Sequence, residues 1–369
     1  MSGDVNIANP TVGDEEVSRI ESVVESGMIA DGPEVREFEA EFADYCDAEQ
    51  GVATSNGTTA LHAALEAVGV GPGDTVLTTP FSFVATANAI RFAGATPVFA
   101  DIDPETFNLD PERVEAKLEA LDGNVDAMVV VHLYGLPAPM DRLRELADEY
   151  DVAVVEDAAQ AHGATYRDSP VGSLGDAACF SFYPTKNMTT GEGGMVLTED
   201  ETVADRAASF INHGRTGDDS YAHERVGHNF RMTSLAAAIG RVQLDRLPKW
   251  VRNRRANADT LTDGLRTVDG ITTPREPDGR THAYHQYTIR TSKRDRLRAA
   301  LAERGVDTGI YYPTPIHELA AYQDFDSTAP VAETAAEHVL SLPVHPNLTD
   351  AELDRIVHAT RGATVELKL

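Results

Sequence analysis

The stretch FSFYPTKN, residues 180–187, places three aromatic residues and a proline directly before Lys186. Burying a charged ammonium is costly unless the group is paired, neutralised or covalently changed. A lysine in such apolar surroundings is therefore either a side chain whose charged end reaches solvent or a reactive amine. The rest of the sequence has to distinguish these two interpretations.

Short β-rich runs alternate with helical patterns through the first two-thirds of the chain, as in a parallel α/β sheet. The predicted strands are GVATS (51–55), TVLTT (75–79), TPVFAD (96–101), DAMVVVHLY (126–134), VAVVED (152–157), ACFSFY (178–183) and GMVLT (194–198). Helical patterns lie between them, for example the apolar stripe of TTALHAALEAVG and the segment DRLRELADEY (141–150). The sequence thus predicts an α/β fold with a mostly parallel sheet in a large domain flanked by helices.

The pattern changes after about residue 233. Long helical segments, predicted to be interrupted at Pro248, lead into a smaller C-terminal α+β region. That region has predicted strands at AYHQYTIR (283–290) and VDTGIYYP (306–313), and predicted helices at SKRDRLRAALAERG, 330–340 and 349–361. We expect a large domain over residues 1–245, N-terminal segment included, and a small C-terminal domain over residues 246–369.

Composition excludes several classes of function. The chain has 60 acidic and 31 basic side chains, and its formal charge of -29 repels nucleic acid and anionic membranes. Such acidity is typical of a solvated surface, including one adapted to high salt. Cys46 and Cys179 are too few for a disulfide framework or a cysteine-rich zinc site, so we expect a cytoplasmic protein. No signal-peptide pattern and no run of roughly 20 apolar residues is seen, so we expect no membrane association.

Three predicted strand ends carry different chemical groups. In open parallel sheets, ligands bind beyond the carboxyl ends of the strands. VAVVED ends at Asp157, ACFSFY leads towards Lys186, and GVATS leads into SNGTT, where Gly57 allows close approach and unpaired N–H groups favour an anion. A carboxylate, an amine and a phosphate-accepting helix start together suit a phosphorylated aldehyde cofactor held as a Schiff base.

Other nucleotide and cofactor motifs are disfavoured. SNGTT alone is an ordinary helix start, and the chain has neither G-x-x-x-x-G-K-[ST] nor a G-x-G-x-x-G after a predicted strand. The Tyr-x-x-x-Lys pair of short-chain dehydrogenases does not fit, because Tyr183 lies only three residues before Lys186.

Several motifs together resemble one family. EDAAQAHGA (156–164), FSFYPTKN, GEGG (191–194), SNGTTALHAAL, VVHLYG (130–135) and HNFRMTSLAAAIG (228–240) resemble the pyridoxal-phosphate-dependent nucleotide-sugar aminotransferases of the DegT/DnrJ/StrS family. The resemblance runs from GPEVREFEAEFADY to SLPVHPNLTDAE, nearly end to end. It implies a fold-type I aminotransferase that uses pyridoxal 5'-phosphate. The implied reaction moves an amino group from an amino acid, with glutamate as the expected donor, to a keto group of a nucleotide-activated sugar for amino-sugar or polysaccharide biosynthesis.

The resemblance also implies roles for single residues. Lys186 forms the Schiff base and moves the proton, and Asp157 pairs with the pyridine nitrogen. Gln160 hydrogen-bonds the ring oxygen, and Phe83 stacks on the ring, with Phe81 as the core-packing alternative. The residues expected at the phosphate are Gly57, Thr58, Ser181 and, from the neighbouring subunit, Asn229. The implied assembly is a homodimer with shared active sites, and a monomer should lose the cofactor.

Four further residues are expected to contact the sugar or its nucleotide: Tyr183, Glu192, Tyr311 and His317. A structural role for His317 stays open. No metal is expected, because the histidines show neither H-E-x-x-H nor clustered ligand spacing.

Two alternative functions are considered. Sugar dehydratases that resemble this family have histidine in place of the lysine, so Lys186 favours transamination. A noncatalytic sugar-binding or regulatory protein of the same fold is the other alternative, since fold does not imply function. Such a protein has no chemical reason to keep Lys186, Asp157, Gln160 and Ser181 together.

Overall fold

The secondary structure follows the predicted alternation of strands and helices. The computed structural model describes residues 4–216, 221–325 and 327–368. Its strands are β1 (Gln50–Thr54), β2 (Thr75–Thr78), β3 (Thr96–Phe99), β4 (Ala127–Val131), β5 (Ala153–Asp157), β6 (Thr165–Tyr166), β7 (Ser169–Pro170), β8 (Ala177–Ser181), β9 (Gly194–Thr198), β10 (Arg280–Thr281), β11 (Tyr287–Arg290) and β12 (Val339–Leu342). Its α-helices are α1 (Asp14–Ser26), α2 (Pro33–Tyr45), α3 (Gly57–Ala67), α4 (Ala85–Phe92), α5 (Pro111–Ala120), α6 (Met140–Tyr150), α7 (Glu201–Ile211), α8 (Ser234–Leu265), α9 (Arg294–Ala302), α10 (Pro330–His338) and α11 (Asp350–Leu367).

A mostly parallel seven-stranded sheet forms the centre of the fold. Its order is β1-β9-β8-β5-β4-β2-β3. The pairs from β8 to β3 are parallel, and β9 runs antiparallel to both β8 and β1. In β8, Cys179 packs with the core on one face of the sheet, and Phe180 packs with α2 and α8 on the other. The predicted α/β class is confirmed, and the covered faces explain why these strands are nearly continuous apolar runs.

Strand direction brings the chemical groups to one edge of the sheet. Because β9 is antiparallel to both neighbours, β1, β5 and β8 all point the same way, and their carboxyl ends meet at this edge. Gly194, the first residue of β9, pairs with Thr54 on one side and Ser181 on the other. A Cβ at position 194 would lie 2.5 Å from the Asn56 carbonyl oxygen, so only glycine allows the ends of β1 and β9 to approach this closely.

Two predicted strands in the C-terminal region need correction. Only the second half of AYHQYTIR is a strand, β11, because the backbone at Tyr284 turns into the left-handed region (φ 46°). VDTGIYYP is not a strand, and its pairing is limited to isolated bridges from Val306 to Val5 and from Gly309 to Ser341. Val5 also packs in the core formed mainly by the C-terminal residues.

Helix α8 corrects another prediction, because it continues through Pro248 without interruption. A proline inside a helix loses one hydrogen bond and crowds the preceding turn, at a cost of about 3 kcal/mol. Leu247 and Val251 on either side of it are buried in the core, and this packing holds both halves of the helix in line. The proposed boundary between residues 245 and 246 falls inside α8, so the division into two domains stays a prediction. In the described part of the chain, no helix is both long and apolar enough to cross a membrane.

Candidate active site

A cavity of about 720 Å³ opens at the carboxyl edge of the sheet. Most of the predicted site residues line it, from separate elements of the fold. These are Gly57, Thr58, Phe83, Asp157, Gln160, Ser181, Tyr183, Lys186, Glu192 and Tyr311. Asn229 and His317 are not among the lining residues.

Asp157 is the last residue of β5 and is buried, with 6% of its surface exposed. Its Oδ2 accepts a hydrogen bond from the Thr86 hydroxyl (2.7 Å), and its Oδ1 accepts from the Ala159 N–H (3.2 Å). Burial raises the pKa of Asp157, while these hydrogen bonds and the nearby Lys186 amine oppose the rise. The carboxylate is therefore held in one orientation and is suited to face a cationic ring N–H.

Lys186 follows β8 in a loop that turns around Pro184. Its backbone N–H donates to the Tyr183 carbonyl oxygen (2.9 Å), which closes this turn below the cavity. Burial lowers the pKa of Lys186 to about 8, and attraction by Asp157 partly opposes the shift. The lowered pKa favours the interpretation of FSFYPTKN as a segment that carries a reactive amine, which stays a prediction.

Gly57 and Ser181 meet at the start of α3. A Cβ on Gly57 would lie 2.6 Å from the Ser181 Cβ, so the β8 end and the helix start can touch only with glycine at this position. Asn56 caps α3 by accepting from the Thr59 N–H (3.0 Å), which leaves the Gly57 and Thr58 N–H groups at the open helix end. This cradle of N–H groups and a hydroxyl is suited to a phosphate.

The Gln160 side chain is fixed by two hydrogen bonds. Its Oε1 accepts from the Tyr134 N–H (2.7 Å), and its Nε2 donates to the Tyr312 hydroxyl (3.0 Å). One amide hydrogen remains to reach a ligand. Tyr312 was not singled out from the sequence, although it is adjacent to the predicted Tyr311.

The structure places Phe83 and Phe81 in different environments. Phe83 lines the cavity and is 55% exposed, whereas Phe81 is fully buried in an apolar core. The Phe83 ring centroid lies 6.0 Å from that of Tyr312. Its exposed apolar ring is therefore the one available for stacking on a ligand.

The predicted substrate residues divide into two groups. Tyr183, Glu192 and Tyr311 line the cavity. His317 lies outside the lining in the short helical turn Ile316–Glu318, buried against Phe99, and its Nε2 lies 3.1 Å from Glu333 Oε1. This position favours the structural interpretation of His317.

Asn229 lies on the surface, where its backbone bridges to Asn212. Within one chain it does not reach the cavity lining. Its predicted contribution to the neighbouring subunit stays a prediction.

Sequence reasoning missed a buried polar network behind the site. Glu156 accepts hydrogen bonds from three backbone N–H groups, those of Gly172, Leu174 and Gly175, at 2.8–3.1 Å. The His132 Nε2 also lies 2.9 Å from Glu156, and its Nδ1 accepts from the Ala138 N–H, so the ring proton is on Nε2. Strand alternation points Glu156 away from the cavity and Asp157 into it, and this was the signal available in the sequence.

The residues present fit pyridoxal phosphate. The N–H groups of Gly57 and Thr58, with the Ser181 hydroxyl, would hold the phosphate. A Cβ at position 57 would fill part of the space between Gly57 and Ser181. Asp157 would face the ring nitrogen, Phe83 would cover the ring, and Lys186 offers the amine. The described residues of one chain therefore offer groups for the ring, the aldehyde carbon and the phosphate.

Comparisons with known proteins agree with this site. The DegT/DnrJ/EryC1/StrS aminotransferase family matches residues 10–361. A pleiotropic regulatory protein of Geobacillus stearothermophilus is 43% identical over 349 residues, covering 93% of this chain and 92% of the relative. The dTDP-3-amino-3,4,6-trideoxy-alpha-D-glucose transaminase of Streptomyces venezuelae is 40% identical over 362 residues, covering 97% of this chain and 94% of the relative. The X-ray structure of S. venezuelae DesV in complex with a ketimine intermediate has a TM-score of 0.91 at 40% identity and covers 94% of both chains.

The fold and the site together define an aminotransferase of the α/β class. The chain belongs to the DegT/DnrJ/EryC1/StrS aminotransferase family. The predicted family and reaction class are confirmed. Solved structures of a similar protein, the putative sugar aminotransferase Spr1654 of Streptococcus pneumoniae, in its PLP and PMP forms agree with the predicted cofactor.

Proposed function

We propose that this protein transfers an amino group from glutamate to a keto group of a nucleotide-activated sugar, with pyridoxal 5'-phosphate attached to Lys186. One observation carries the proposal: the Lys186 amine, the Asp157 carboxylate and the Gly57–Ser181 cradle meet in a single cavity. The similarity to a dTDP-sugar transaminase supports a nucleotide sugar as the acceptor. When bound, the cofactor supplies an electron sink for the negative charge that develops on the substrate carbon.

Lys186 acts as the base and then as the acid. Its Nζ removes a proton from the substrate carbon that bears the nitrogen and later returns a proton from the same atom. Only the neutral amine can remove the proton, so burial, which lowers the pKa of Lys186 to about 8, makes the group effective near neutral pH. The turn at Tyr183 and Pro184 holds the amine at the cavity.

Asp157 keeps the cofactor ring nitrogen protonated. An ionised carboxylate beside a ring N–H favours the cationic ring, which is the better electron sink. The hydrogen bonds from Thr86 and Ala159 stabilise the ionised form of Asp157 despite its burial. We assign to Gln160, whose side chain is fixed by Tyr134 and Tyr312, a hydrogen bond to the ring oxygen.

Both substrates use the same cavity in turn. The amino acid gives its nitrogen and leaves as a 2-oxo acid, and the keto-sugar then enters and receives the nitrogen. Because the two half-reactions share one site, we expect ping-pong kinetics. We assign contacts with the sugar to Tyr183, Glu192 and Tyr311, because these residues line the cavity.

A homodimer with shared sites is part of the proposal. The cofactor phosphate and a nucleotide diphosphate carry several negative charges, yet Lys186 is the sole lysine or arginine among the described residues that line the cavity. Additional donors are therefore needed. Asn229, exposed and outside its own cavity, is the residue we assign to the phosphate of the neighbouring subunit.

We also infer a cytoplasmic, high-salt setting. Cys46 and Cys179 are both free and buried, which suits a reducing compartment. The excess of 60 acidic over 31 basic residues suits a surface that must stay hydrated at high salt.

The test is a panel of nucleotide keto-sugars incubated with glutamate and the cofactor-loaded protein, with the products resolved by NMR. An amino-sugar formed by wild type and absent with Lys186→Ala supports the proposal. A deoxysugar without nitrogen would instead identify a dehydratase. The relative named as a pleiotropic regulatory protein makes a regulatory role the second candidate. The absence of a protein-bound absorption band in wild type, after incubation with cofactor and removal of the unbound cofactor, would favour that candidate.

A further inference from the structure

A second, much smaller cavity lies next to the Lys186 loop. It has a volume of about 20 Å³, is partly open to solvent, and is lined by residues 8–11, the loop 184–189, helix α8 and Pro346. The residues that line it include Lys186 and Arg254, and none of the described lining residues is an Asp or Glu. In a chain with nearly twice as many acidic as basic residues, a small cavity lined by a buried arginine and no carboxylate is unexpected.

Arg254 is a buried cation without a carboxylate partner. Its surface is 6% exposed. Its Nη1 donates to the Tyr284 carbonyl oxygen (3.0 Å) and more weakly to that of His285 (3.5 Å). Its Nε has no hydrogen-bond partner among the described residues. Burial lowers the pKa of Arg254 to about 10, so the guanidinium still carries its charge at neutral pH. A buried charge without a counter-charge is strongly unfavourable.

The polar neighbours of Arg254 cannot supply the missing negative charge. Its charge lowers the pKa values of His162, His285 and His345, in each case after the larger effect of burial. These imidazoles are therefore neutral and contribute no negative charge. Asn187, which also lines the cavity, carries only a dipole, and its Oδ1 has no partner among the described residues.

We propose that this cavity binds a small monovalent anion, chloride, which compensates the charge of Arg254. A volume of about 20 Å³ suits a single water-sized particle, which favours a monatomic anion over phosphate or a carboxylic acid. A water molecule in the cavity would leave the charge of Arg254 uncompensated, whereas chloride compensates it. The inference rests on Arg254 and its cavity and is independent of the proposed reaction.

The position of the cavity gives the anion a structural role. Thr185, Lys186 and Asn187 form one wall, and Arg254 of α8 forms another. An anion held between them stabilises the loop that presents Lys186 to the active site. The dependence of the protein's thermal stability on salt should therefore contain a component that is specific to small anions.

A direct test uses bromide, which replaces chloride and has a measurable anomalous signal. Crystals of the full chain grown or soaked in bromide should show an anomalous peak in the cavity beside the Arg254 guanidinium. Ordinary solvent density without an anomalous peak would mean that the cavity holds water only, and the proposal would be wrong.

A solution test compares thermal unfolding in potassium chloride and in potassium glutamate at equal ionic strength. Arg254→Gln removes the charge and keeps an N–H donor. Arg255→Gln is the matched control, because Arg255 is the next residue of the same helix and pairs with Glu276 at the surface. We expect a chloride-specific rise in Tm of about 2–5 °C in wild type and Arg255→Gln, and none in Arg254→Gln. Equal Tm values for wild type in the two salts, or an unchanged chloride effect in Arg254→Gln, would overturn the inference. If Arg254→Gln does not fold, the bromide experiment on wild type decides.

Discussion

The Thr86 hydroxyl donates a 2.7 Å hydrogen bond to Asp157 Oδ2 and thereby joins the first turn of α4 to the end of β5. An ionised carboxylate can only accept, so the single hydroxyl proton of Thr86 is used in this bond. The Ser82 hydroxyl, 2.9 Å from that of Thr86, must then donate to it. The resulting chain from Ser82 through Thr86 to Asp157 opposes the rise in the pKa of Asp157 that burial causes.

The first prediction concerns this chain. Thr86→Val keeps the shape and removes the hydroxyl, so the pKa of Asp157 should rise further. The affinity for pyridoxal phosphate should fall roughly 10- to 100-fold, since hydrogen bonds to charged groups contribute roughly 1.5–3 kcal/mol. Thr86→Ser restores the donor and should restore both values. The pKa is measured by NMR of ¹³C-labelled aspartate in the apo-protein, and the affinity by spectroscopic titration. An unchanged pKa of Asp157 in Thr86→Val would show that Thr86 has a packing role only.

The pH dependence of Lys186 is the second prediction. Since burial lowers the pKa of Lys186 to about 8, its reaction with an amine-specific reagent in the apo-protein should reach half its maximal rate near pH 8, against about 10.4 for an ordinary lysine. Peptide mapping identifies the modified residue. Asp157→Asn removes the attraction that raises the pKa of Lys186, and should move the midpoint to a lower pH.

The same shift affects stability. Between pH 8 and the ordinary lysine pKa, the unfolded chain binds the proton at residue 186 and the folded chain does not. The free energy of unfolding of the apo-protein should therefore rise with pH across this window, and Lys186→Met should lack that contribution. If the chemical modification of Lys186 had a pH midpoint near that of ordinary lysines, the lowered pKa of Lys186 would be contradicted.

The third prediction concerns the contact between Gly57 and Ser181. Gly57→Ala places a methyl group 2.6 Å from the Ser181 Cβ, so it should cost about 1–3 kcal/mol of stability and displace the phosphate cradle. Gly71→Ala is the control, because a Cβ there meets nothing within 4 Å. Adding Ser181→Gly to Gly57→Ala should recover stability but not cofactor affinity, since the hydroxyl is lost. Denaturant unfolding and cofactor titration measure the two effects separately.

The sequence was sufficient for the parts of the fold and site that local patterns encode. Each central strand was predicted within a few residues, because apolar runs between helices are a local signal, and the strand-end rule placed Asp157, Lys186 and Gly57 at one edge. The incorrect predictions concern features that are determined by tertiary contacts. The strand predicted over 306–313 has only single-residue partners, and Pro248 is tolerated because residues on both sides of it are buried.

Tertiary contacts also explain why some residues of the site were not predicted. Thr86 is separated from Asp157 by 71 positions, and Tyr312 from Gln160 by 152, so neither pair leaves a spacing that can be recognised in one sequence. The pairing of His132 with Glu156 is hidden for the same reason. What a single chain cannot show at all is a contact between subunits, which is why Asn229 stays a prediction.

Replacement of the buried Glu156 gives the fourth prediction. Glu156→Gln puts an NH₂ group where the carboxylate now accepts from backbone N–H groups or from His132, so two donors would face each other. We expect a loss of about 2–4 kcal/mol in the free energy of unfolding. Glu145→Gln makes the same chemical change at an exposed residue paired with Arg142, and should stay within about 0.5 kcal/mol of wild type. Similar losses for both variants would contradict the structural role of the Glu156 network.

The last prediction tests whether two chains build each site. If Asn229 reaches the neighbouring subunit, Lys186→Ala and Asn229→Ala disable different halves of the same site, and each variant alone should have little activity. In a mixed dimer, one site receives both replacements, while the other combines an intact Lys186 with an intact Asn229. Unfolding and refolding an equal mixture should therefore restore about a quarter of the wild-type activity, since half of the dimers are mixed and each has one intact site. Mixing without refolding is the control, and it should restore activity only as fast as subunits exchange. A refolded mixture no more active than its components, although native gels show mixed dimers, would mean that both residues serve the same chain.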